Sequence, residues 1–204
     1  MRAFYTVLVV LLLALPGAAF GERLTAQAAR EQLEDSQSFF LDLLTTQIDE
    51  YGHAGNYNGV IELAKTQIDI DPHWFESYSV AGWLLWSMKR FDEAEQLYKL
   101  GITNNPTNYR MYHELGSMYW LTARRSIYNS SPERSKELIK LTAQQLYQAV
   151  KYPCPPDVNR LLAHALHKLG RYDEERKVLE GVLKKHPQDF VAKRDLARLK
   201  KMGK

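Results

Sequence analysis

Six histidines, four tryptophans and a single cysteine are the side chains of this sequence best suited to chemistry or to gripping a ligand. His164 and His167 stand three residues apart, on one face if the segment is helical, and with His113 they could offer three imidazoles to a divalent metal. A carboxylate ligand at suitable spacing is missing, so a metal-dependent hydrolytic enzyme is the weaker alternative. Neutral imidazoles at a binding surface, titrating near neutral pH, fit these residues better. The sequence has no His-Glu-x-x-His motif, no phosphate-cradling glycine loop, no Gly-x-Ser-x-Gly elbow and no cysteine pair. We expect no catalytic residue, no metal and no cofactor. Recognition is the chemistry the remaining side chains suit. Trp83, Trp86 and Trp120 each offer a large apolar area at little entropic cost, and Arg160 carries forked donors for a carboxylate.

These side chains ride on segments of helical periodicity. Phe91, Ala94, Leu97, Tyr98 and Ile102 recur on one face, as do Tyr172, Val178, Leu179, Val182 and Leu183. Three such stretches open and close alike: Tyr57, Phe91 and Tyr172 follow Gly55-Asn56, Lys89-Arg90 and Gly170-Arg171, and Pro72, Pro106 and Pro187 close them. The interval from aromatic to proline is 15 each time (72 − 57, 106 − 91, 187 − 172). Upstream of each aromatic lies a second helix, clearest in Phe75–Met88, where Ala81 and Gly82 let a neighbour approach closely. The unit is a helical hairpin.

This pattern resembles the tetratricopeptide repeat, with its period of about 34 residues, a small residue and Tyr in the first helix, Ala and an aromatic in the second, and Pro at the end. Tyr78, Gly82, Phe91, Ala94, Tyr98, Gly101 and Pro106 match, and Pro72 to Pro106 spans the period (106 − 72 = 34). Leu44, Tyr51, Tyr57, Ala64 and Pro72 match in the unit before, and Leu162, Ala163, Gly170, Tyr172, Leu179 and Pro187 in the last. Between them, Tyr112, Gly116, Tyr119, Ala143, Tyr147 and Pro155 are spread over a longer unit, since Pro106 to Pro155 is 49 residues (155 − 106). The resemblance implies an all-α fold, a right-handed superhelix of about four hairpins at 41–74, 75–108, 109–155 (with an insertion near 122–136) and 156–189. Capping helices are expected at 22–40 and 190–204. Ser130-Ser131-Pro132-Glu133 reads as a helix start, so both helices of the long unit should be extended.

In this family the fifth, ninth and twelfth positions of each unit face a concave groove. The resemblance thereby places Thr45 and Asp49, then Ser79, Trp83 and Trp86, then His113, Ser117 and Trp120, then Arg160 with His164 and His167 nearby, on or beside that groove. The function it implies is a non-catalytic scaffold or adaptor binding a peptide or protein segment. Some members grip a C-terminal carboxylate with Lys and Asn in the first unit; here Thr45 and Asp49 stand there, and Asp49 would repel that ligand.

The rest of the sequence bears on location and partners. Lys and Arg number 27 against 24 Asp and Glu, and a net charge of +3 carries no basic stripe, so no nucleic-acid partner is expected. Arg2, the apolar run Val7–Leu15, the break at Pro16-Gly17 and small Ala18 and Ala19 have the layout of a signal peptide over residues 1–21, which predicts an exported protein, periplasmic or secreted. Left uncleaved, residues 4–20 would be a membrane anchor, and the protein an assembly factor for an envelope complex; this is the only membrane contact expected. Cys154 is the sole cysteine and excludes an internal disulfide. It lies in Tyr152-Pro153-Cys154-Pro155-Pro156, which is expected to be non-helical. Asn129-Ser130-Ser131 fits the glycosylation pattern. Nothing in the sequence specifies an oligomeric state.

Overall fold

The computed structural model describes residues 25–129 and 131–204, and among these are nine helices and no strand. They are α1 (Ala26–His53), α2 (Tyr57–Ile70), α3 (Phe75–Ser87), α4 (Phe91–Asn104), α5 (Tyr109–Asn129), α6 (Pro132–Ala149), α7 (Pro156–Lys168), α8 (Tyr172–Lys185) and α9 (Phe190–Lys201). The expected signal segment, and Ser130 of the glycosylation pattern, lie outside the described residues. No described helix is long and apolar enough to cross a membrane.

The chain divides into two compact units within α1, at Phe40–Leu41. In the first, Thr25 accepts the Ala28 amide at 3.2 Å, and Phe39, largely exposed, meets Phe40 edge to face at 6.0 Å. The second unit holds the repeats.

Within it, α2, α4 and α8 share one construction. Each has 14 residues and begins at the repeated aromatic. Two residues upstream, Gly55, Lys89 and Gly170 adopt φ of 72°, 64° and 72°. This left-handed turn suits glycine and costs Lys89 some strain. The next amide reaches back five residues, from Asn56 to the Tyr51 carbonyl (2.8 Å), Arg90 to Leu85 (2.9 Å) and Arg171 to Leu166 (3.0 Å), closing the preceding helix. At the other end, Asp71, Asn105 and His186 lie near φ −130°. The proline after each forbids helical backbone to the residue before it and supplies no N–H, so the helix stops there. The tyrosine of the next helix fastens the turn: Tyr78 and Tyr112 donate their hydroxyls to the Pro72 and Pro106 carbonyls, each at 2.9 Å.

α5 and α6 are longer, 21 and 18 residues against 13 and 14 in α3 and α4. Ser131 starts α6 as the sequence predicts, accepting the Arg134 amide at 3.2 Å with Pro132 at the first helical position.

Consecutive helices from α2 to α9 pack on one another, and first helices α3 and α5 also touch directly. One core runs from α2 to α7, and a second joins Ala163, Leu179, Val182, Ala192 and Leu199 across α7, α8 and α9. A Cβ at Gly82 would overlap the Tyr98 ring, so the small residue sets the distance between α3 and α4.

Candidate functional site

The first helices α3, α5 and α7 come together at an open cavity of about 240 Å³. Phe75 and Ser79 enter it from α3, and Tyr109 and His113 from α5. The 34-residue period puts Tyr109 where Phe75 stands one repeat earlier, and His113 where Ser79 stands (109 − 75, 113 − 79). Glu114 and Arg110 complete the α5 wall, and Pro155, Asp157 and Val158 form the wall at the start of α7.

The charges in this cavity are unevenly compensated. Burial pushes the Glu114 carboxyl above its usual range, against a hydrogen bond from Ser79 and the charge of Arg110. Arg110 itself lies over the Phe75 ring, 5.1 Å from its centre. Neither Glu114 nor Asp157 makes an ion pair among the described residues. Burial lowers the His113 pKa, with Asp157 opposing, so this imidazole is neutral at physiological pH. Its Nε2 lies 3.3 Å from the Ser117 hydroxyl, one turn further along α5. Trp83, one turn beyond Ser79, is 56% exposed.

The other residues singled out from the sequence sit elsewhere. Trp86 is only 6% exposed; it donates its indole N–H to the Thr122 hydroxyl at 2.9 Å and carries the Arg125 guanidinium 4.1 Å above its ring. It is a packing residue between α3 and α5. Trp120, 34 residues on, packs half-buried against the same core. Thr45 receives a hydrogen bond from Gln67 at 2.8 Å, while Asp49 is exposed and faces His53 at 3.5 Å on α1.

Arg160, His164 and His167 are turned toward the end of the chain. Arg160 pairs at 2.6 Å with Asp189, which caps α9 by accepting the Ala192 amide. His164 meets Asp195 of α9 at 3.2 Å, and His167 meets Glu175 of α8 at 2.8 Å. Carboxylates therefore do stand beside these two histidines, contrary to the spacing argument, because they come from other helices. His113 lies at a different place, in the cavity. Among the described residues no three His, Cys, Asp or Glu side chains gather to hold a metal ion.

Sequence reasoning missed Phe75, Tyr109, Arg110, Glu114 and Asp157. For the two aromatics a signal was present, since they sit 34 residues apart and one turn before Ser79 and His113. For Asp157 there was none, because only the tertiary fold brings the start of α7 to this cavity.

Family models of the tetratricopeptide repeat match residues 75–108 and 156–199. The chain carries tetratricopeptide repeats over these two stretches. The first matched repeat is α3 with α4 and the turn after it; the second takes in α7, α8 and most of α9, so the terminal helix continues the repeat pattern. Among solved structures the chain is similar to MamA AMB-1, at 20% identity over 83% of this chain and 84% of that one, with a TM-score of 0.55. It is also similar to MamA 41-end from Desulfovibrio magneticus RS-1, at 14% identity over 79% and 90%, with a TM-score of 0.51. At these identities the likeness is one of fold. No curated protein matches the chain by sequence.

Proposed function

We propose that this tetratricopeptide protein is a non-catalytic scaffold that holds a segment of another polypeptide against the face made by α3, α5 and α7. The open cavity between these helices carries the reading. Aromatic and polar groups from three successive repeats converge there, with exposed Trp83 beside them. An exposed tryptophan next to a partly desolvated pocket is the make-up of a binding hot spot. Helical hairpins that stack with a constant rotation form a right-handed superhelix, whose concave side consists of first helices. In this reading the groove is centred on Ser79, Trp83, His113 and Ser117, while Arg160, His164 and His167 hold the terminal helix.

The apolar run Val7–Leu15 behind Arg2 supports a location outside the cytoplasm. Were residues 4–20 retained, the same scaffold would be tethered to a membrane as an assembly factor, and the mature N-terminal residue distinguishes the two.

The test is affinity capture from the extracytoplasmic fraction, comparing the parent with a Trp83→Ala/Ser117→Arg variant of unchanged helicity. A partner that is captured by the parent and lost by the variant supports the docking face. Equal capture by both places the interaction elsewhere and removes the assignment.

A further inference from the structure

We propose that the cavity between α3, α5 and α7 takes a lysine or arginine side chain of the bound polypeptide, with Glu114 and Asp157 as its anionic walls and Phe75 and Tyr109 as its aromatic ones. The proposal rests on the docking face described above and specifies what one position of the partner must be. Size is the first argument. Small-molecule sites begin at about 300 Å³; a cavity of about 240 Å³ that is open to solvent matches one long side chain entering from a chain lying across it.

Charge is the second. The charged groups facing the cavity are Arg110, Glu114 and Asp157, and His113 there is neutral. Arg110 already lies against the Phe75 ring, and neither carboxylate has an ion-pair partner among the described residues. A cation entering between them would give Glu114 the charged donor that the Ser79 hydroxyl does not supply. Ring faces attract cations as well, most strongly where water is displaced. An acidic side chain would meet two carboxylates in a partly desolvated site and gain only Arg110. A neutral apolar side chain would leave Glu114 further desolvated and still uncompensated.

The experiment is an NMR titration of the full chain with capped tripeptides, acetyl-Ala-X-Ala-amide, in which X is Lys, Arg, Gln or Glu. The signals followed are the side-chain carboxyl carbons of Glu114 and Asp157. The lysine and arginine peptides are expected to move both signals and to bind about tenfold more tightly than the glutamine and glutamate peptides. Glu114→Gln and Asp157→Asn, each of parental circular dichroism, are expected to abolish that preference. Equal binding of the glutamine peptide, tighter binding of the glutamate peptide, or no movement with any of the four overturns the proposal.

Partner capture separates this proposal from the one it rests on. If capture survives Glu114→Gln/Asp157→Asn but is lost in Trp83→Ala/Ser117→Arg, the docking face stands and the cation pocket falls. If both double variants capture as the parent does, both readings fall.

Discussion

Glu175 on α8 and Asp195 on α9, 0% and 1% exposed, are joined by one guanidinium, that of Arg198, at 2.9 and 3.2 Å. His167 closes on the first carboxylate and His164 and Arg194 on the second, so four side chains from α7 and α9 enclose two buried charges. Removing the shared cation would leave neighbouring carboxylates in a site that water reaches poorly. Arg198→Met is expected to destabilise the protein by about 2–4 kcal/mol, less than for a fully buried pair because Arg198 itself is partly exposed. Hydrogen exchange should show the loss concentrated in α9, and protection in α3 and α4 should be retained.

The same network has a pH dependence of definite sign. Burial alone would raise the Asp195 carboxyl, but hydrogen bonds from Arg194 and His164 and the charge of Arg198 outweigh it and hold its pKa below the usual range. A carboxylate more acidic in the folded state adds stability above its unfolded pKa, and that stability is lost as pH falls through the folded value. Docking of α9 should therefore weaken below about pH 4. Asp195→Asn should flatten this acid limb in urea denaturation followed across pH.

Glu114 behaves in the opposite sense. Its folded pKa is raised, so its contribution is most favourable below the unfolded pKa and declines as pH rises through the folded value. The raised pKa therefore corresponds to a cost in stability at neutral pH that a neutral side chain would not carry. Glu114→Gln should raise stability at pH 7 by roughly 0.5–2 kcal/mol. The gain should vanish near pH 4, where both side chains are neutral. A loss of stability at pH 7 would mean that Arg110 compensates the charge already.

Trp83 and Trp86, three residues apart on α3, should differ sharply. Trp86→Ala empties a buried site and removes the indole hydrogen bond to Thr122, at an expected cost of about 3–5 kcal/mol. Trp83→Ala should change stability by no more than about 0.5 kcal/mol, because more than half of that ring is already in water. Thermal unfolding of the two variants makes the comparison.

Two helical glycines give a matched pair. At Gly82 a methyl group would overlap the Tyr98 ring, while at Gly181 in α8 nothing lies within 4 Å of the added Cβ. Gly82→Ala is expected to cost about 1–3 kcal/mol through forced separation of α3 and α4. Gly181→Ala should instead add about 0.5–1 kcal/mol from helix propensity.

Local chemistry was written in the order of residues. The repeated aromatic-to-proline interval, the left-handed residue before each aromatic and the Ser131-Pro132 start of α6 act within a few bonds of chain, so the sequence alone determined the all-helical, tetratricopeptide character of the protein. Which first-helix faces meet solvent was decided only by packing. Arg160, His164 and His167 share a helical face that reads as a recognition surface until α8 and α9 bring Glu175, Asp189 and Asp195 onto it. Trp86 and Trp120 repeat at one register position and pack into or against the core, whereas Trp83, a turn away, lies open. Asp157 lines the same cavity as Glu114 only in the folded chain, where residues more than forty apart in sequence come to one place (157 − 114 = 43). Periodicity acts within one helix, whereas the burial and pairing of charges depend on which helix lies across from it.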